Sequence, residues 1–321
     1  MTRHPEVNYF YQSNDMAAHV ARIDSVYFWR GVNPHLTITA EPFAGSARPY
    51  TFGQEDIDRA VSQVTIEGYL QTRPTLPVDH CQALSQGVHN IIAAGFHPIY
   101  LTLYDEYWQT MQRITSVMEP VLGPGCYPLG DYWAWCISKQ TAGAGWGPHR
   151  DYQFKSRTLR EDGRPTLVTV WLPFTDATTL NGCMYLIPMD RDDNLPDHPE
   201  NYHFGDLQDI RALPAQAGTV LAWNQYVMHW GSRCSQFAQG PRISTGIYFQ
   251  SADYDPYVGK PVDFKQPLPF ERRLGFVASN MLNYHQYHSY PTLLLDMCFR
   301  QVQALPNFAS LVPSTLLELM P

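Results

Sequence analysis

Two widely separated segments of this chain hold residues whose types and spacing suit metal chemistry. His149 and Asp151, in the run GWGPHRDYQF, are separated by a single residue, Arg150. On an extended backbone, positions i and i+2 leave the same face, so this imidazole and carboxylate project together. Such a pair can supply two of the three ligands of a ferrous site, in which two histidines and one carboxylate hold one face of the ion and leave the other open. The pattern alone is common. His4/Glu6 and His198/Glu200 also fit it, but each has Pro at its centre. The second also lies in the polar run RDDNLPDHPENYH, which has the composition of a solvated loop.

The third ligand must come from a distant strand. GTVLAWNQYVMHWGS places His229 just beyond a strand-like run, about 80 residues after His149. Shortly after, PRISTGIYF opens the next strand with Arg242 and Ser244, again on one face by alternation. A guanidinium fork grips a carboxylate through two parallel hydrogen bonds, and a hydroxyl adds a third. A carboxylate anchor one strand after the last metal ligand is what a chelating 2-oxo acid needs.

These side chains require a framework of strands. DYWAWCIS (131–138), TLVTVWLPF (166–174), CMYLIP (183–188), GTVLAW (218–223) and RISTGIYF (242–249) are short β-branched and aromatic runs bounded by turn residues, the mark of an antiparallel sandwich or barrel. Before them, QEDIDRAVSQ (54–63) reads as a helix with an acidic first turn, and VTIEGYLQT (64–72) as a strand. A helix from Pro77 carries Leu84, Val88, Ile91 and Ile92 at helical spacing and ends at Gly95; another runs from Tyr104 to Met118 and stops at Pro120. The first 50 residues carry no assignable pattern. From about residue 267 the chain is helical or mixed. The expected organisation is one elaborated domain: a helical layer over 1–125, a β core over 130–250 and a helical segment over 267–321.

Composition bounds the function. The 321 residues are 44% hydrophobic, 16% charged and 13% aromatic, an ordinary globular make-up that excludes a disordered, collagenous or coiled-coil chain. The net charge is −8, and four of the 22 cationic residues are Lys, so the chain lacks the basic footprint of a nucleic-acid binder. Six cysteines (81, 126, 136, 183, 234, 298) without CxxC spacing read as reduced thiols. With no 18-residue apolar run and no apolar leader in MTRHPEVNYFYQ, the expectation is a cytoplasmic protein that does not enter the membrane.

The blocks KQTAGAGWGPHRD, VTVWLPFTDATTLNGCMYLIP, GTVLAWNQYVMHWGS and PRIS resemble, in order, those of the phytanoyl-CoA dioxygenase-like family of Fe(II)/2-oxoglutarate-dependent oxygenases, over about residues 60–250. The resemblance implies a mainly β chain with a helical layer around a double-stranded β-helix (jelly-roll, cupin-like) core. It implies Fe(II) ligation by His149, Asp151 and His229, with 2-oxoglutarate and O2 as cosubstrates. Arg242 would anchor the distal carboxylate of 2-oxoglutarate, Ser244 would assist, and Trp171 would wall the cosubstrate. The chain departs from the family in reading HWGS where HGS is common and PMDR where PGSH is usual. Family members that halogenate carry a small residue in place of the ligand carboxylate, so Asp151 argues for hydroxylation, desaturation or another oxidation, with release of succinate and CO2.

For the substrate, RDYQFKSRTLREDGR (150–164) is a locally basic stretch in an acidic chain. Arg150, Lys155, Arg157 and Arg160 are therefore candidates to capture a small, anionic molecule or natural-product intermediate. His285 and His288, three residues apart, are a further pair to test for chelation. There are two rival readings: a zinc hydrolase on a cupin-like barrel with the same three ligands, which has no use for Arg242, and a non-catalytic binding module that has kept the barrel, against which the intact ligands argue.

Overall fold

The computed structural model describes residues 16–39, 53–139, 145–151, 158–201, 205–256, 262–264, 268–288 and 290–304. Helices come first: α1 (Met16–Ala21), α2 (Val26–Val32), α3 (Gln54–Ile66), α4 (Val78–Ala93) and α5 (Asp105–Leu122). α1 and α2 lie in the stretch whose sequence shows no pattern. α3 runs to Ile66, so the strand expected from 64 begins only at Tyr69; Val64 is buried, which holds the last turn helical. α5 also runs past the expected stop and contains Pro120 in its last turn. Proline removes one backbone bond there, but Val117, Met118, Val121 and Leu122 are all buried, and the helix ends instead at Gly123, whose φ of 93° only glycine adopts freely.

Eight strands follow the helical pattern's end or interleave with it: β1 (Tyr69–Pro74), β2 (Tyr127–Ile137), β3 (Leu167–Pro173), β4 (Met184–Ile187), β5 (Arg211–Leu213), β6 (Thr219–Asn224), β7 (Met228–Gly231) and β8 (Arg242–Gln250). They form a five-stranded antiparallel sheet of order β1-β6-β3-β8-β2 and a three-stranded sheet of order β5-β4-β7. The segment 145–151 lies alongside β7 of the smaller sheet through an isolated bridge: His149 and His229 exchange both backbone hydrogen bonds (3.0 and 2.9 Å), and Gly231 N–H donates to the Trp146 carbonyl. This is a double-stranded β-helix, as the sequence blocks implied.

Alternation sorts each strand of the large sheet. Val168, Val170, Leu172, Val220 and Ala222 face the helices in one core, whereas Trp171, Leu221 and Trp223 face the smaller sheet and pack with Met184, Leu186 and Leu213. With both faces covered, the strands read as nearly continuous apolar runs. Behind the sheet, α6 (Phe270–Asn283) and α7 (Thr292–Ala304) complete the helical layer. Fully buried Arg273 ties α6 to the start of α5 through Asp105 at 2.6 Å. All six cysteines are unpaired. No helix among the described residues is long and apolar enough to cross a membrane.

Candidate metal centre

The two histidines meet because their backbones are directly opposed across a strand pair, which puts both side chains on one face with ring centroids 4.3 Å apart. Asp151, two residues beyond His149, joins them from the same strand. One ligand atom from each of His149, Asp151 and His229 lies within 4.8 Å of the others, and all three residues are buried or nearly so. The large sheet fixes the carboxylate from across the barrel: Thr169 Oγ1 of β3 donates to Asp151 Oδ2 at 2.6 Å, and Trp223 Nε1 of β6 donates to the same oxygen at 3.1 Å. Thr169 and Trp223 are register partners, so one rung of the sheet delivers both donors.

The tautomers are set by backbone carbonyls. His149 Nδ1 donates to Gly147 O (2.7 Å) and His229 Nδ1 to Val227 O (3.0 Å), leaving each Nε2 lone pair turned inward. Those Nε2 atoms stand 3.5 and 3.6 Å from the Asp151 oxygens, beyond hydrogen-bond range. The spacing matches neighbouring donors about 3 Å apart around one ion with bonds of about 2.1 Å. Buried His149 Nε2 has no hydrogen-bond partner. Burial pushes the His229 imidazole down to about 4, against the pull of Asp151, so it is a neutral ligand at ordinary pH. Burial also raises the Asp151 carboxyl, but the adjoining His229 and His149 imidazoles and the Thr169 hydroxyl outweigh it and hold the carboxyl below its ordinary value, so it stays ionised. Burial lowers the His149 imidazole, but Asp151 and the Gly147 carbonyl outweigh it and hold it above its ordinary value, so a metal taken there would displace a proton. Two imidazoles and a carboxylate turned toward one point are a donor set that fits a divalent iron.

A pocket, partly open to solvent, is lined by these three side chains. Arg242, 1% exposed, lines it with its guanidinium 5.6 Å above the Trp171 ring, and Nη1 donates to Gly182 O. Ser244 Oγ is buried without a hydrogen-bond partner. Gly231 gives the guanidinium its room: a Cβ there would stand 3.0 Å from Nη1. Trp133, Trp135, Trp146, Tyr248 and Tyr284 contribute further wall, and Asp131 sits among them with its Oδ1 accepting from the Tyr284 hydroxyl at 2.6 Å. Burial lifts the Asp131 carboxyl to about 6, opposed by that hydrogen bond.

The remaining candidates lie elsewhere. Arg150 points away from the cavity into an ion pair with Asp192 (2.7 Å) and bonds to the Tyr226 and Asn201 carbonyls. Arg160 bonds Leu122 O and Ser251 Oγ. Neither lines the cavity. Lys155 and Arg157 lie outside the described residues. His198 and Glu200 are an exposed pair, as a solvated loop predicts. His285 bonds the Leu282 carbonyl and His288 stacks on Trp133, so they do not form a chelating pair. Sequence reasoning missed Thr169, Trp223 and Asp131. Alternation along TLVTVWLPF and DYWAWCIS carries the signal, because Thr169 shares a face with Trp171, and Asp131 with Trp133 and Trp135.

Fold and site together define a class: a double-stranded β-helix with a buried two-histidine, one-carboxylate cluster opening on a cavity that holds an arginine. The phytanoyl-CoA dioxygenase (PhyH) family model matches residues 96–236, which include His149, Asp151 and His229, and over this stretch the resemblance to the phytanoyl-CoA dioxygenase-like Fe(II)/2-oxoglutarate oxygenases holds. Among solved structures, the chain is similar to the epimerase SnoN in complex with Fe3+, alpha ketoglutarate and nogalamycin RO (18% identity, 68% of this chain and 98% of that one, TM-score 0.50). It is similar to HygX from Streptomyces hygroscopicus with nickel and 2-oxoglutarate bound (12% identity, 65% and 91%, TM-score 0.50). The apo form of ThoJ, a non-heme monooxygenase, is a third such structure (13% identity, 76% and 99%, TM-score 0.52). At these identities the likeness concerns the fold. No curated protein matches the chain.

Proposed function

We propose that this protein is an Fe(II)/2-oxoglutarate-dependent oxygenase that oxidises a small organic molecule, by hydroxylation or desaturation, with release of succinate and CO2. The observation that carries the reading is the convergence of His149, Asp151 and His229 on a pocket whose wall also holds Arg242. His149 Nε2, His229 Nε2 and an Asp151 oxygen would hold the iron, which when bound supplies the oxidative decarboxylation of 2-oxoglutarate and the activation of O2. Arg242, stacked on Trp171, would grip the far carboxylate of 2-oxoglutarate, and Ser244 Oγ would donate a further bond to it. Thr169 and Trp223 keep Asp151 from swinging off the ion. The aromatic walls exclude water, so a reactive species formed there meets a substrate C–H before solvent. The carboxylate at Asp151 fills the position that a halide would need and favours oxygen insertion or hydrogen removal over halogenation. A hydrolase would have no use for the buried Arg242.

The test is anaerobic addition of Fe(II) and 2-oxoglutarate. A weak visible charge-transfer band is expected, followed on aeration by slow succinate formation without substrate. A protein that binds zinc and shows neither signal would have to be read as a hydrolase or a binding module.

A further inference from the structure

Asp131 is a carboxylate inside the cavity with no cationic partner. Among the described residues, no Lys, Arg or His forms an ion pair with it, and its hydrogen bond comes from the neutral hydroxyl of Tyr284. Trp133 and Trp135 flank it on the same face of β2, and Tyr248, Trp146 and Tyr284 complete the aromatic wall. Among the described residues, the one arginine of the cavity wall is Arg242, which pairs with Ile137 at the other end of the same strand pair, six residues or about 20 Å of backbone from Asp131. Asp151 is anchored by Thr169, the register partner of Tyr248, so the metal cluster and Asp131 share one level of the sheet.

Holding a carboxylate in such surroundings is costly, and one neutral donor recovers little of the lost hydration. A Tyr284 contact alone would be served as well by an amide. Aromatic faces around a carboxylate attract a cation, both through the charge and through the rings. We propose that the substrate carries a protonated amine, which Asp131 holds inside the aromatic wall so that neighbouring carbon atoms face the metal cluster. Asp131 is then the specificity-determining residue, and Tyr284 positions it. The proposal rests on the oxygenase reading only in taking this cavity as the substrate site. It replaces the anionic substrate expected from the basic stretch, since Arg150 and Arg160 are engaged elsewhere.

The test compares 2-phenylethylamine, its neutral isostere 2-phenylethanol and the anion 3-phenylpropanoate. Binding is read in two ways: by perturbation of the charge-transfer band of the anaerobic Fe(II)/2-oxoglutarate protein, and by quenching of tryptophan fluorescence without metal. The amine is expected to bind at least about tenfold tighter than the alcohol, and the anion weakest, as a charge-assisted bond predicts. Asp131→Asn should erase the difference between amine and alcohol, whereas Tyr284→Phe should keep its sign and reduce its size. Equal binding of amine and alcohol by the unsubstituted protein, preference for the anion, or no saturable amine binding would overturn the proposal, whether or not the variants fold. A missing charge-transfer band with amine-selective quenching would instead sink the oxygenase reading and leave Asp131's role standing.

Discussion

Thr169→Val removes one hydroxyl and nearly nothing else. Valine matches threonine in shape and suits the interior of β3, and both the 2.6 Å bond to Asp151 Oδ2 and the longer contact from Gln225 disappear. A hydrogen bond to a charged group contributes about 1.5–3 kcal/mol, equivalent to roughly 10- to 150-fold in an equilibrium constant. Loss of a group that orients a metal ligand typically costs about 10- to 100-fold in metal affinity. Trp223 Nε1 still holds the same oxygen at 3.1 Å, so the loss belongs at the lower end, about 10- to 30-fold weaker Fe(II) binding. The assay is anaerobic Fe(II) titration in saturating 2-oxoglutarate, followed by the charge-transfer band, with the melting temperature of the metal-free protein recorded alongside. Thr169→Ser keeps the donor and should restore most of the affinity. An unchanged Fe(II) affinity in the valine variant would refute the argument, as would a serine variant as weak as valine, since packing rather than orientation would then be responsible.

Arg242→Met should raise the KM for 2-oxoglutarate by about 30-fold or more with Fe(II) affinity little changed, because it deletes the cation that would face a buried carboxylate, a loss of about 2–5 kcal/mol; steady-state succinate assays measure it. Asp105→Asn breaks the buried pair with Arg273 and should lower unfolding stability by about 3–5 kcal/mol in a denaturant titration. Burial raises the Asp105 carboxyl, but Arg273 and the Thr39 amide outweigh it and hold it below its ordinary value. Its stabilisation is therefore complete above the unfolded value of about 3.9 and is lost as pH falls through the folded one, so the variant's acid limb should be flatter. Gly145→Ala should abolish high-affinity metal binding, since the new Cβ would sit 2.7 Å from Gly231 Cα and push the strand bearing His149 off β7; metal content after dialysis reports it.

The strands that carry the site were legible because each is short, β-branched and bracketed by turn residues, and the five runs read from the sequence match β2, β3, β4, β6 and β8 within a few residues. β5 and β7 were not, since three- and four-residue strands are too short to show alternation; their pairing with β4 decides them. Pro120 misled for a related reason: local propensity ends a helix there, and burial of the flanking apolar residues overrides it. Within the basic stretch, the partners of Arg150 and Arg160 were not legible, because charge along a sequence does not reveal its partners; Asp192, which pairs with Arg150, lies about 40 residues away.

By itself, the order of residues determined the candidate ligand types, the i/i+2 pairing of His149 with Asp151, the downstream Arg242 and the β framework, because these follow from backbone alternation and side-chain chemistry. Tertiary structure decided that His229 stands directly opposite His149, that Thr169 and Trp223 reach across the barrel to one carboxylate oxygen, and that Asp131 lines the cavity with no cation paired to it among the described residues. Each of these depends on strand register and on which faces meet, and a register shift of one residue would turn every one of those side chains away.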